Sequence, residues 1–151
     1  AVLYGVLLSY LERVAESAER AAVQGVLGQL NQQLNMKVAQ LYIAGRADEV
    51  SQLEGANPFN WFSEPPAFYA GAREKFEPEN LLSEHWYFDK ASRQLIYVVE
   101  RNKYLKIEGE NGRFLKFVLK LKSPAADKPH RRKGLNIRID TVSPYRWEIE
   151  D

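Results

Sequence analysis

At 151 residues, with 45% apolar and 27% charged side chains, the chain has the size and composition of one folded domain with its own core. The absence of cysteine excludes disulfides, thiolate metal sites and a cysteine nucleophile, and two histidines, His85 and His130, leave no His-rich zinc site. The net charge of +1 is unevenly spread: residues 1–100 carry 8 basic and 13 acidic side chains, residues 101–138 carry 12 and 3, and residues 139–151 carry 1 and 4.

The chain starts with "AVLYGVLLSYL", eleven residues without a charge before Glu12. A bilayer span needs about 20 such residues, so this stretch cannot cross alone. It reads as the end of a longer apolar segment or as the start of a buried helix. From Val2 to Ala44 there is no proline, and apolar residues recur at steps of three and four. Leu3, Leu7, Leu11, Val14 and Ala18 form one run, and Val23, Leu27, Leu30, Leu34, Val38 and Leu41 another. Glu12, Arg13, Glu16, Arg20, Gln24, Gln32 and Lys37 fill the polar remainder, with Glu16 and Arg20 in the favourable i,i+4 order. Gly25 and Gly28 weaken the helix and predict a bend or a close helix contact, while Gly45 is a C-terminal stop. A helix over residues 1–44 reaches about 65 Å at 1.5 Å per residue. A domain of this size needs only its second half. The first half, with Leu3, Leu7, Leu11 and Val14, has nothing in the chain to cover it.

A short helix is expected over Ala47–Leu53, ended by Gly55. Residues 55–80, "GANPFNWFSEPPAFYAGAREKFEPEN", contain Pro58, Pro65, Pro66 and Pro78, which oppose regular structure through most of the segment. Phe59, Trp61, Phe62, Phe68 and Tyr69 predict that this loop is pinned to the body by aromatic side chains.

The remainder reads as β. "HWYFD" and "QLIYVVE" form a hairpin about the turn "KASR". "YLKIE" and "FLKFVLKLK" flank Glu110-Asn111-Gly112-Arg113, and Asn-Gly is a strong hairpin signal. In "FLKFVLKLK", Leu115, Phe117, Leu119 and Leu121 alternate with Lys116, Lys120 and Lys122, as expected for a sheet with one solvated face. "LNIRIDTV" points Leu135, Ile137 and Ile139 inward, and "YRWEIE" reads as a short last strand or an edge. The fold class is therefore α+β: one long N-terminal helix packed on an antiparallel sheet of about four to five strands. Residues 1–151 form a single domain, divided into the helix 1–44, a short helix and loop 45–84, and the sheet 85–151.

The candidate sites are few. His85 and Asp89 lie four apart on a strand, about 13 Å, so they cannot act together as a base and its orienting carboxylate. Asp89 instead opens the turn and bonds local backbone. No nucleophile elbow, phosphate loop or HExxH motif occurs, and the acidic segments lack calcium-loop spacing. Neither an enzyme nor a cofactor is implied. "KPHRRKG" gathers Lys128, His130, Arg131, Arg132 and Lys133, a composition suited to an anion or to DNA and equally to a solvated loop.

The apolar start, the overlong helix, the aromatic segment "NPFNWFSEPPAFYAG" and the hairpin "HWYFDKASRQLIYVV" together resemble the type IV pilin-like family. That family includes minor pilins and the pseudopilins of type II secretion, and the layout is most similar to biogenesis components of mannose-sensitive haemagglutinin pili. The resemblance covers most of the chain. It implies an inner-membrane anchor running through a segment upstream of Ala1, and a β-rich head in the periplasm. It further implies assembly with other pilin-like subunits and their machinery into a filament, with Leu3, Leu7, Leu11 and Val14 in a central helix bundle. The chain departs from the family in having no cysteine pair in the head, and the stretch Phe-Thr-Leu-Ile-Glu does not occur in it.

Overall fold

The computed structural model describes residues 2–109, 112–122 and 136–149. Helix α1, Val2–Ile43, runs unbroken for 42 residues, or about 63 Å. It passes through Gly25 and Gly28 without the close contact their sequence suggested, since no atom beyond the helix's own turns lies within 4 Å of a Cβ built at either. Its end is a Schellman motif: Gly45 takes φ 71°, its N–H bonds Tyr42 O at 3.1 Å, and Arg46 N–H bonds Leu41 O at 2.8 Å. The expected short helix over Ala47–Leu53 forms, in the tighter 3-10 geometry.

Seven strands follow: β1 Tyr69–Arg73, β2 Trp86–Asp89, β3 Gln94–Val98, β4 Leu105–Ile107, β5 Phe114–Lys122, β6 Asn136–Thr141 and β7 Tyr145–Trp147. Five of them form a sheet in the order β1-β2-β3-β5-β6, antiparallel except for the β1–β2 pair. The α+β arrangement of one long helix on this sheet is the one the residue pattern predicts. Trp86, Phe88, Leu95, Tyr97, Leu115, Phe117 and Leu119 from the sheet join Val23, Val26, Leu30 and Leu34 of α1 in one buried cluster. Trp86 lies at its centre, with ring centroids 5.2 Å from Tyr97 and 5.5 Å from Phe117.

Three features differ from the sequence expectation. Strand β1 arises inside the proline-rich segment and pairs parallel to β2, with a register shift at Gly71, whose φ is 106°. Pro58 meanwhile starts a one-turn 3-10 helix, Pro58–Trp61, capped by Asn57. The aromatic pinning itself is present: Phe59 is buried and stacks on Tyr69 with centroids 4.2 Å apart.

Second, the other face of the sheet is not solvated at its β2 end. Phe76, in the crossover from β1 to β2, packs edge-on to Tyr87 at 6.0 Å and to Phe114 at 5.3 Å. Tyr87 is buried on this face and Trp86 and Phe88 in the core on the other, so no residue of β2 is left exposed. Third, β4 does not pair with β5 across Asn111–Gly112. β5 lies between β3 and β6, and β4 pairs with β7 in a separate two-stranded sheet, Lys106 opposite Arg146. Burial decides this outcome. Leu105, Ile107 and Trp147 of the small sheet all enter the core, an advantage that outweighs a local turn preference. Leu135 and the turn residues Glu110 and Asn111 lie outside the described residues; Ile137 is buried and Ile139 half-buried, as expected.

Candidate functional site

The first four turns of α1 are the most unusual surface of the molecule. Leu3, Leu7, Leu11 and Val14 are 82%, 53%, 52% and 47% exposed. Val2, Tyr4, Val6, Leu8 and Tyr10 are exposed as well. They widen the apolar surface beyond a single stripe to most of the helix circumference, leaving Gly5, Ser9 and Glu12 on the side that continues into Glu16. An exposed apolar patch of this extent marks an interaction surface. Among the described residues, no helix is long and apolar enough to cross a membrane.

The helix becomes part of the head at Glu16, its first buried residue. Continuing the buried stripe of Val23, Val26, Leu30 and Leu34 backwards by steps of four and three lands on Glu19 and Glu16, which are only 4% and 2% exposed. Glu19 accepts hydrogen bonds from the Tyr97 hydroxyl and the Glu100 N–H, both at 2.9 Å, and from the Arg101 N–H at 2.8 Å. Glu16 accepts from the Tyr104 N–H at 2.9 Å and from the Trp147 indole N–H at 3.0 Å. Arg20, expected to support the helix by pairing with Glu16, donates instead to the Trp147 carbonyl at 3.0 Å. Both carboxylates are satisfied by neutral donors, and no ion pair among the described residues includes either.

The physical result is a clamp. The turn from Glu100 to Tyr104 has backbone donors that no strand takes up, and two helix carboxylates hold them. Burial, reinforced by the neighbouring Glu19 carboxylate, holds the Tyr97 phenol far above its usual range, so it remains a donor. The clamp lies at the point where the exposed apolar start meets the head and fixes how the helix leaves it.

The remaining candidates are structural. His85 Nδ1 bonds the Ser83 carbonyl at 2.7 Å. Asp89 accepts from the N–H groups of Phe76 and Ala91 and from the Ser92 hydroxyl, so the two side chains serve separate turns. Lys128, His130, Arg131, Arg132 and Lys133 lie outside the described residues. Of the lysines on β5, Lys120 is exposed and stands opposite Arg138, whose guanidinium pairs with Asp140 at 2.6 Å. Comparison with protein-family models, with curated proteins and with solved structures finds no match for this chain.

Proposed function

We propose that the chain is a non-enzymatic assembly protein of the type IV pilin-like kind, a minor pilin or pseudopilin that joins a filament through the start of its helix. The observation that carries this reading is the exposure of apolar residues over most of the helix surface from Val2 to Val14, above a well-packed head. Full burial of one such side chain is worth about 1.5–3 kcal/mol, so a bundle of neighbouring helices gains strongly by covering several. A helix that is apolar over most of its circumference fits a bundle of neighbouring helices or a lipid phase. In this reading the chain is anchored in the inner membrane, with its head in the periplasm or on a periplasmic or extracellular filament. Its partners are other pilin-like subunits and the machinery that adds them.

The test is Leu7→Asp or Leu11→Asp in the full chain. Both side chains are exposed in the single chain, so the head should melt as in wild type while incorporation into filaments is lost. Normal assembly of these variants would end the proposal. The second reading, an anion- or DNA-binding module, rests on the basic loop 128–133, which lies in a segment, 101–138, with 12 basic and 3 acidic residues. It requires binding that falls steeply with salt.

A further inference from the structure

Directly below the apolar start, a cleft of about 420 Å³ opens between α1 and the clamped turn. Glu12 and Arg13 of the helix and Glu100 and Lys103 of the turn line it. Glu16 also faces the cleft, but its carboxylate already accepts from Tyr104 and Trp147. Among the described residues, none of Glu12, Arg13, Glu100 and Lys103 takes part in an ion pair. Lys103 is exposed, with its ammonium 5.6 Å from the centre of the Tyr104 ring. Arg101, also in the cleft, is committed to Glu84 at 3.1 Å. Two cations and two carboxylates without an ion-pair partner among the described residues therefore share one opening.

Length places this opening relative to a bilayer. The uncharged run from Val2 to Leu11 spans about 15 Å as a helix, half of a hydrocarbon core of about 30 Å. Buried to that depth in one leaflet, it brings Glu12, Arg13 and the turn 100–103 to the headgroup layer. We infer that the cleft takes the headgroup of a phospholipid carrying both a phosphate and a primary ammonium. Arg13 and Lys103 hold the phosphate, and Glu12 and Glu100 hold the ammonium. The mixed charge of the cleft selects this headgroup over a purely anionic one. A trimethylated ammonium has no N–H to give the carboxylates. The inference rests on the membrane-anchored reading above and adds to it a lipid that orients the head.

The test is flotation of the full chain with vesicles of equal phosphatidylethanolamine and phosphatidylcholine, compared with phosphatidylcholine alone. Tighter binding to the first is expected. Arg13→Gln with Lys103→Gln should weaken binding to it by at least about tenfold, the scale of one lost charge-assisted hydrogen bond. Glu12→Gln with Glu100→Gln should reduce it to the phosphatidylcholine level. Thermal melts of the variants, expected to match wild type, separate these losses from misfolding. Equal binding to both vesicles, or unchanged binding by either variant, overturns the inference. So does absence of vesicle binding; self-association lost on Leu7→Asp would then make a second copy the occupant and leave the filament reading standing. Conversely, lipid selectivity with filament assembly that survives Leu7→Asp would overturn that reading and not this one.

Discussion

Replacing Glu19 by alanine tests the junction between helix and head. The substitution removes one acceptor from each of the Tyr97 hydroxyl, the Glu100 N–H and the Arg101 N–H. Glu100 and Arg101 are exposed residues, so water can replace the carboxylate at their amides. Tyr97 is 3% exposed, and its hydroxyl is left without a partner. A buried unsatisfied group costs about 1–3 kcal/mol, and loss of the buried stem adds roughly 1 kcal/mol. The expected destabilisation is thus about 2–4 kcal/mol, or a fall in Tm of about 4–16 °C for a domain of this length. Thermal unfolding followed by circular dichroism measures it. Glu12→Ala, an exposed site on the same helix, should change stability by under about 0.5 kcal/mol. Adding Tyr97→Phe to Glu19→Ala should recover part of the loss, because both partners are then apolar. If Glu19→Ala melts with Glu12→Ala and wild type, Glu19 does not hold the head to the helix and the clamp is wrong.

Alkaline stability should depend on Tyr97 and, to a lesser degree, on Tyr145, since burial raises both phenols above the usual 10.0. Their contribution is fully present below about pH 10 and is lost as pH rises further, because the unfolded chain releases these protons first. Denaturant unfolding of Tyr97→Phe across about pH 9–12 should show a shallower decline than wild type. Gly55→Ala should cost at least about 1–2 kcal/mol in the same melt. Its φ is 72°, and the new methyl would lie 2.9 Å from Arg93 Cδ. For the basic run, fluorescence anisotropy with duplex DNA should show no salt-dependent binding that neutralising Arg131, Arg132 and Lys133 abolishes; finding it would favour the second reading.

Periodicity made α1 legible, because Leu30 and Leu34 had to face a core whatever that core was. The alternation of Leu115, Phe117 and Leu119 with lysines revealed β5 in the same way. Glu16 and Glu19 were hidden because a carboxylate on a helix is ordinarily a solvated one. The signal was present in the spacing, since the stripe from Val23 continues onto them and not onto Ala18. Nothing local reveals their donors, which lie between 78 and 131 residues away in sequence. Strand β1 was illegible for another reason: Gly71 and the flanking prolines erase the two-residue alternation, and only pairing with β2 makes it a strand. The Asn111–Gly112 signal, in turn, described a local preference that the burial of Trp147 against the head overrides. The uncovered start of the helix was legible as a mismatch between helix length and domain size. The structure adds that its apolar exposure extends over most of the helix circumference.

Because the chain has no cysteine, one introduced thiol reports directly on the surface at the centre of the account. Leu7→Cys and, as a control on the head, Leu82→Cys begin 53% and 58% exposed in the single chain. Maleimide labelling before and after filament assembly should show the thiol at position 7 protected by neighbouring helices and the thiol at position 82 labelled throughout. Equal labelling of position 7 in the free and assembled states would contradict assembly through the helix start.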